Sequence, residues 1–457
     1  MSISVAILVT LLSVLMASGC SGGSSLRESL NEPFVHGALR VSSDGRFLVH
    51  EDGTPFPYFV DTAWQLFHRL DSTEVKYYLA DRQAKGFTVI QACILAELNG
   101  LETPNRNGDL PLFDNDPTRP NEAYFAWVDF VIQEAAAHGL YVGLLPTWGD
   151  KVNRKWGVGP EIFDEWNARK YGCFLGRRYR EFPNIIWING GDRPGGEKTI
   201  VWDALAEGIC AEDSTHLMTY HPSGEASSGM WFHNRDWLDF NMFQSGHAQT
   251  DFAIYKRLLI PDYERNPVKP VLDGEPRYED IPIRFKSENG RFTDTDVRRT
   301  LYWSLFSGAC GYTYGANDIW QFYVPGRTSM CEARNHWKDA LQLPGASQLI
   351  HARRLLENFG WCDRVPAPEL LFGAPLQNDD VAVAVRGSDY ALVYIPNGHP
   401  VEISLRKLPL KETLRFSWYD PRNGARYAME QPDSENILRV VPPSSGRGQD
   451  WILIVEF

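Results

Sequence analysis

From residue 58 onward the chain alternates short apolar runs with longer amphipathic ones. That pattern predicts strands buried on both faces, each followed by a helix that covers the sheet. PYFVD, FTVIQACILAE, LYVGLLPTW, FPNIIWING, HLMTYHP, LDFNMFQSGH, KPVLDGEP and ACGYTYGA read as eight strands in chain order. Helical spacing marks STEVKYYLADRQAKG, with Gly86 as its stop, then NEAYFAWVDFVIQEAAAHG, EIFDEWNARKYGCFLGRRYREF, AEGIC, DFAIYKRLLIPDYER and TDVRRTLYWSLFSG. SQLIHARRLLENF closes the series. Eight strands in about 260 residues suit a (β/α)8 TIM barrel, at roughly 30 residues per unit. A doubly wound open sheet is the alternative, but no GxGxxG turn follows any strand.

After RVPAPEL the period changes. VAVAVRG, YALVYIPNG, VEISL, LRFSWYDPRNGARY and WILIVEF are short alternating runs split by Gly, Pro and Asn, which predicts an antiparallel β-sandwich. A hairpin-like LRVSSDGRFLVHEDGTPF precedes the first barrel strand and is expected to plug its base. The expected organisation is therefore a signal at 1–20, a tether at 21–30, a catalytic barrel with its hairpin at 31–362 and a β-sandwich at 363–457.

The opening stretch, MSISVAILVTLLSVLMASGC, is a long apolar run ending in small residues, the mark of an export signal. Ala17-Ser18-Gly19-Cys20 resembles a bacterial lipobox, and SGGSS after it reads as a flexible tether. The chain is expected to be exported to the periplasm or outer membrane of a bacterium and lipid-anchored at Cys20, with an ordinary cleaved signal as the alternative. No later apolar run reaches the roughly 18 residues of a membrane span, so membrane contact is expected only through the N-terminal anchor.

Composition narrows the partners. A formal charge of -13 without a basic run argues against nucleic acid, which needs clustered Lys and Arg to displace counterions. The fifteen Trp residues supply flat apolar faces on which sugar rings stack, although most of them are expected to pack the core. Cys93, Cys173, Cys210, Cys310, Cys331 and Cys362 show no CxxC spacing, and no HExxH occurs, so neither a zinc site nor a metalloprotease is indicated. No metal or cofactor is expected, and the chain is expected to be a monomer.

In a barrel, residues just past the strand C-termini share one mouth. Those positions hold Asp61 and Trp64, Glu97, Trp148, Asn189 with Asp192, His221, Gln244 with His247, Glu275, and Tyr314, with Trp320 further along the last loop. Asp192 and Glu275 end strands four and seven, nearly opposite each other across the mouth. Two carboxylates facing over an aromatic-lined cleft are what glycosidic cleavage requires: one protonated to assist the leaving oxygen, the other ionised. Asp192 is assigned as acid/base and Glu275 as nucleophile. Asn189 is expected to hydrogen-bond the sugar hydroxyl beside the reacting carbon, and Asp61, Trp64, Trp148, His221, Gln244, His247, Tyr314 and Trp320 to contact the saccharide.

The carboxylate after an Asn on strand four and the Glu on strand seven resemble the retaining clan A glycosidases. DTAWQLFHRL, ADRQAKGFTVIQA, PTWGD, WINGGDRPGG, FNMFQSGH, DGEPRYE and GACGYTYGANDIWQF, with WYDPRNGARY in the C-terminal module, resemble the apiosidase-like glycoside hydrolases, family 140 and its relatives. That resemblance implies retaining hydrolysis, with Asp192 and Glu275 matching the family's acid/base and nucleophile. It further implies apiose-containing side chains of the pectin rhamnogalacturonan-II as the polysaccharide substrate. The C-terminal module resembles a domain sometimes labelled collagen-binding. The alternatives are a non-catalytic surface glycan-binding lipoprotein and a retaining glycosidase of the same architecture with another sugar specificity.

Overall fold

A computed structural model describes residues 33–373, 377–408, 414–430 and 436–457. The signal, the Cys20 anchor and the tether lie outside these residues. All eight barrel strands form where the apolar runs place them: β1 Tyr58–Thr62, β2 Val89–Leu95, β3 Tyr141–Thr147, β4 Ile185–Gly190, β5 Met218–His221, β6 Asn241–Phe243, β7 Val271–Asp273 and β8 Gly311–Tyr314. Strands β8, β1, β2, β3, β4 and β5 are laddered in that order, all in parallel, and β6 pairs with β7. Hydrogen bonds bridge the two gaps: Asp239 N donates to Met218 O at 2.8 Å and Thr219 Oγ1 to Phe240 O at 2.6 Å across the first, and Cys310 N to Val271 O at 2.8 Å across the second. The cylinder is thereby closed.

The helices α1 Ser72–Ala84, α2 Glu122–Ala137, α3 Glu165–Tyr179 and α4 Thr199–Cys210 follow β1 to β4. A short 3-10 turn, Ser228–Met230, replaces a helix between β5 and β6. The third helix starts later than its spacing predicts. Asp164 caps it, accepting from Asn167 N at 2.8 Å, while Ile162 N and Phe163 N donate to Lys151 O and hold the preceding segment extended. The run after β6 breaks into α5 Ala253–Arg257 and α6 Leu259–Tyr263, because Pro261 has no N–H to continue the ladder. Helices α7 Asp294–Phe306 and α8 Pro344–Asn358 complete the outer ring.

The hairpin Leu39–Val41 with Leu48–His50 lies under the N-terminal strand ends, where Phe56 packs at 4.9 Å from Tyr141 and 6.0 Å from Tyr58. The barrel mouth at the opposite end stays free of it. The C-terminal module is a six-stranded antiparallel sheet with a second sheet of three strands. Alternate residues of Tyr390–Ile395 and Trp451–Glu456 serve two cores: Val393, Ile395, Leu453 and Val455 pack inside the module, and Leu392, Tyr394, Ile452 and Ile454 join the barrel's core. A buried ion pair crosses this seam, Arg298 to Asp450 at 2.8 Å, beside Tyr302 stacked on Tyr394 at 4.7 Å.

Candidate active site

The chain leaves β4 through three successive residues with positive φ, Gly190 at 92°, Gly191 at 107° and Asp192 at 58°. The two glycines reach that backbone region without penalty, and Asp tolerates it better than most side chains. The turn swings Asp192 back over the barrel mouth. Gly149, at the end of the neighbouring strand, must be small for this: a Cβ there would stand 2.1 Å from Arg193 Cγ and 2.5 Å from Gly191 O.

His221 links Asp192 to Glu275. Its Nδ1 accepts from Asp192 N at 3.3 Å, which leaves Nε2 to face Glu275 Oε2 at 3.2 Å. His247 Nε2 reaches the other oxygen, Oε1, at 3.1 Å. His221 is itself wedged between two indoles, with ring centroids 5.3 Å from Trp64 and 6.1 Å from Trp148, and the indoles are 5.1 Å apart. Below Glu275, Gln91 Nε2 props the backbone by donating to Gly274 O at 2.9 Å.

The two carboxyls are driven apart electrostatically. Burial and the Glu275 charge push Asp192 up to about 6, against the opposing pull of His221, Trp156 and Arg193. Burial alone would raise Glu275 too, but the hydrogen bonds and charges of His221 and His247 outweigh it and take it down to about 2. A third carboxyl, Glu97 at the end of β2, shares the site. Burial and the nearby carboxylates of Asp150, Asp192 and Glu275 push it up to about 8. Near pH 7 the cleft thus holds one fixed anion and two acids able to carry protons.

The structure brings Asp192, Glu275, His221, His247, Trp64 and Trp148 together. Gln244 is buried next to β6 with its Oε1 unpartnered among the described residues. Trp320 is 7% exposed, and its Nε1 donates to Asn317 Oδ1 at 3.3 Å. Three expected contacts are corrected. Asp61 points out of the barrel, accepting from Tyr78 Oη at 2.5 Å and facing Arg82 at 3.4 Å, both on α1. Tyr314, its register partner, points the same way and donates to Glu279 Oε2 at 2.7 Å, while Glu279 accepts from Gly345 N at the start of α8. Asn189 also turns outward, donating from Nδ2 to Trp202 O on α4 at 2.9 Å, so it does not reach a sugar.

Sequence reasoning missed Trp156, whose Nε1 donates to Asp192 Oδ2 at 2.6 Å, and Arg193, which backs it. Neither lies at a strand tip. The only signal was local: a Trp in the Gly-rich segment KWGVGP, and an Arg directly after the assigned acid. Among the described residues no group of His, Cys, Asp and Glu is arranged to hold a metal ion, and no helix is long and apolar enough to cross a membrane.

Comparison with known proteins agrees with this geometry. Residues 42–363 match the family model "Apiosidase-like, catalytic domain", and residues 365–456 match "Putative collagen-binding domain of a collagenase". A solved structure described as a glycoside hydrolase is 35% identical, covers 93% of this chain and 98% of its own, and superposes with a TM-score of 0.86. A second, a glycoside hydrolase family 5 structure from Bacteroides vulgatus, is 37% identical, covers 93% of this chain and 94% of its own, with a TM-score of 0.86. No curated protein matches the sequence. With the family model spanning most of the barrel and the paired carboxyls at its mouth, the chain belongs to the apiosidase-like glycoside hydrolases.

Proposed function

We propose that this glycoside hydrolase works by double displacement, with Glu275 as nucleophile and Asp192 as acid/base. One observation carries the reading: the same imidazole, His221, faces the Glu275 carboxylate through Nε2 and accepts from the Asp192 backbone N–H through Nδ1, yet the Asp192 carboxyl is pushed up to about 6 and Glu275 down to about 2. A carboxylate so strongly ionised is a poor base for water but a permanent nucleophile and a good leaving group, which favours retention over inversion. In the first step a Glu275 oxygen bonds the anomeric carbon as the glycosidic C–O bond breaks, and the Asp192 proton moves to the departing oxygen. Glu275 is then an uncharged ester. The repulsion that raised Asp192 vanishes, its pKa falls, and it accepts a proton from the water that attacks the anomeric carbon as the ester C–O bond breaks and Glu275 leaves as a carboxylate. Trp64 and Trp148 wall the site, so these charges meet in a dry, low-dielectric setting.

The proposed substrates are side chains of plant cell-wall polysaccharide, with apiose linked in rhamnogalacturonan-II as the first candidate, supported by the family match. The lipobox-like segment supports an exported chain anchored at Cys20. The test is incubation with depolymerised pectin side chains, with the released sugar and its first-formed anomer identified by NMR. A retained anomer, lost in Asp192→Ala and Glu275→Ala, is expected; an inverted anomer would overturn the nucleophile assignment. Wild-type chain that binds these saccharides and releases nothing would leave the glycan-binding alternative.

A further inference from the structure

The loop after β3 carries a group that the strand-tip pattern does not reach. Trp156 is 43% exposed, yet it is held firmly. On one side buried Asp150 accepts from Val158 N at 3.2 Å and Gly159 N at 2.9 Å, and is itself paired with Lys151 at 2.7 Å. On the other side Arg193, also fully buried, donates from Nε to Asn153 O at 2.6 Å and from Nη2 to Trp156 O. The same guanidinium covers one face of the indole, 4.3 Å from the ring centroid. So tied, the indole directs its N–H to Asp192 Oδ2 at 2.6 Å.

The geometry points to Trp156 as the positioning residue that aims the proton of Asp192 and forms the platform for the leaving-group sugar; this rests on the reading of Asp192 as acid/base. The indole donates to Oδ2, and Arg193 Nη1 stands 3.9 Å from the same oxygen. Among the described residues no donor reaches Oδ1, so the carboxylic proton resides there. As the glycosidic bond breaks, the Oδ1–H bond passes its proton to the departing oxygen, and the carboxylate left behind keeps its indole donor. Whatever touches the acid/base from the solvent side stands next to the leaving group. An indole with Arg193 behind it and its remaining surface open offers that sugar a flat apolar face. The N–H also favours the ionised acid, which keeps it from being protonated throughout the neutral range.

Trp156→Phe keeps the ring and removes the donor; Trp156→Ala removes both. With depolymerised pectin side chains as substrate, Trp156→Phe is expected to lower kcat about tenfold with KM nearly unchanged. It should also move the alkaline limb of kcat/KM up by about one pH unit, as expected for loss of one hydrogen bond to a charged group. Trp156→Ala should show the same limb and a several-fold higher KM. A readout independent of turnover is 15N-tryptophan labelling: one indole signal should vanish in Trp156→Phe, titrate near pH 6 in the wild-type chain and stop titrating in Asp192→Asn. A Trp156→Phe profile that superimposes on wild type, or an indole titration that persists in Asp192→Asn, would overturn the inference. Wild-type chain that releases no sugar would instead overturn the glycosidase reading, and the indole titration needs no substrate, so the two failures are separable.

Discussion

Removing the imidazoles from Glu275 tests the electrostatics on which the mechanism depends. The carboxyl is brought from the ordinary 4.5 to about 2 although burial alone would raise it. That depression corresponds to about 3 kcal/mol in favour of the ionised form. The two imidazoles face separate oxygens, Oε2 at 3.2 Å from His221 and Oε1 at 3.1 Å from His247, so each should carry a part of it. His221→Ala or His247→Ala is then expected to raise the acid limb of kcat/KM by about one pH unit, and the double variant to carry it above 4.5, where burial acts alone.

The same change must appear in stability, with a defined sign. A depressed carboxyl contributes stability that is fully present above its unfolded pKa, near 4.5, and is lost as pH falls through its folded value, about 2. The double variant should therefore melt several degrees below wild type at pH 7, and the gap should narrow as both are taken towards pH 3. Melting curves between pH 3 and 8 measure this without substrate. A double variant whose acid limb stays below pH 3, or a melting gap independent of pH, would refute the reasoning.

Asn189→Ala is expected to destabilise the chain by about 1–3 kcal/mol, because Trp202 O loses its buried donor, while KM stays unchanged; a large loss of kcat at full stability would restore the sugar contact. Gly149→Ala should lower kcat at least tenfold and cost about 1–3 kcal/mol, since its Cβ would displace Arg193 or the Gly191 backbone, as circular dichroism melting and sugar release can check. Asp450→Ala strands the buried Arg298 between barrel and C-terminal module and should cost about 3–5 kcal/mol, measured by denaturant unfolding. Prolonged EDTA treatment followed by dialysis should leave sugar release unchanged, because both assigned carboxyls are held by imidazoles and an indole rather than grouped as ligands.

Much of the architecture was legible in the apolar runs, because a parallel strand covered on both faces must be apolar throughout, and eight such runs with helices between them admit few topologies. Asp192 and Glu275 were legible for a related reason: glycines or a proline at a strand tip mark where the chain is turned to present a side chain. The same property of buried strands hid the errors. With no alternation along β1, β4 and β8, the sequence does not show which residues point inward. Thr62 beside Gln91, and Gly190 beside His221, face the barrel axis, whereas Asp61 beside Tyr314, and Asn189 beside Tyr220, face the helices.

By itself, then, the chain determined the order of its strands and the residue types offered at the barrel mouth. Only tertiary structure decided which of them meet. Ladder register turned Asn189 towards α4 and His221 towards Glu275, and the buried Arg193 drew Trp156 from the middle of a loop onto the acid. Those contacts join segments distant in sequence, and they depend on backbone register and close packing, which no local pattern of residues encodes.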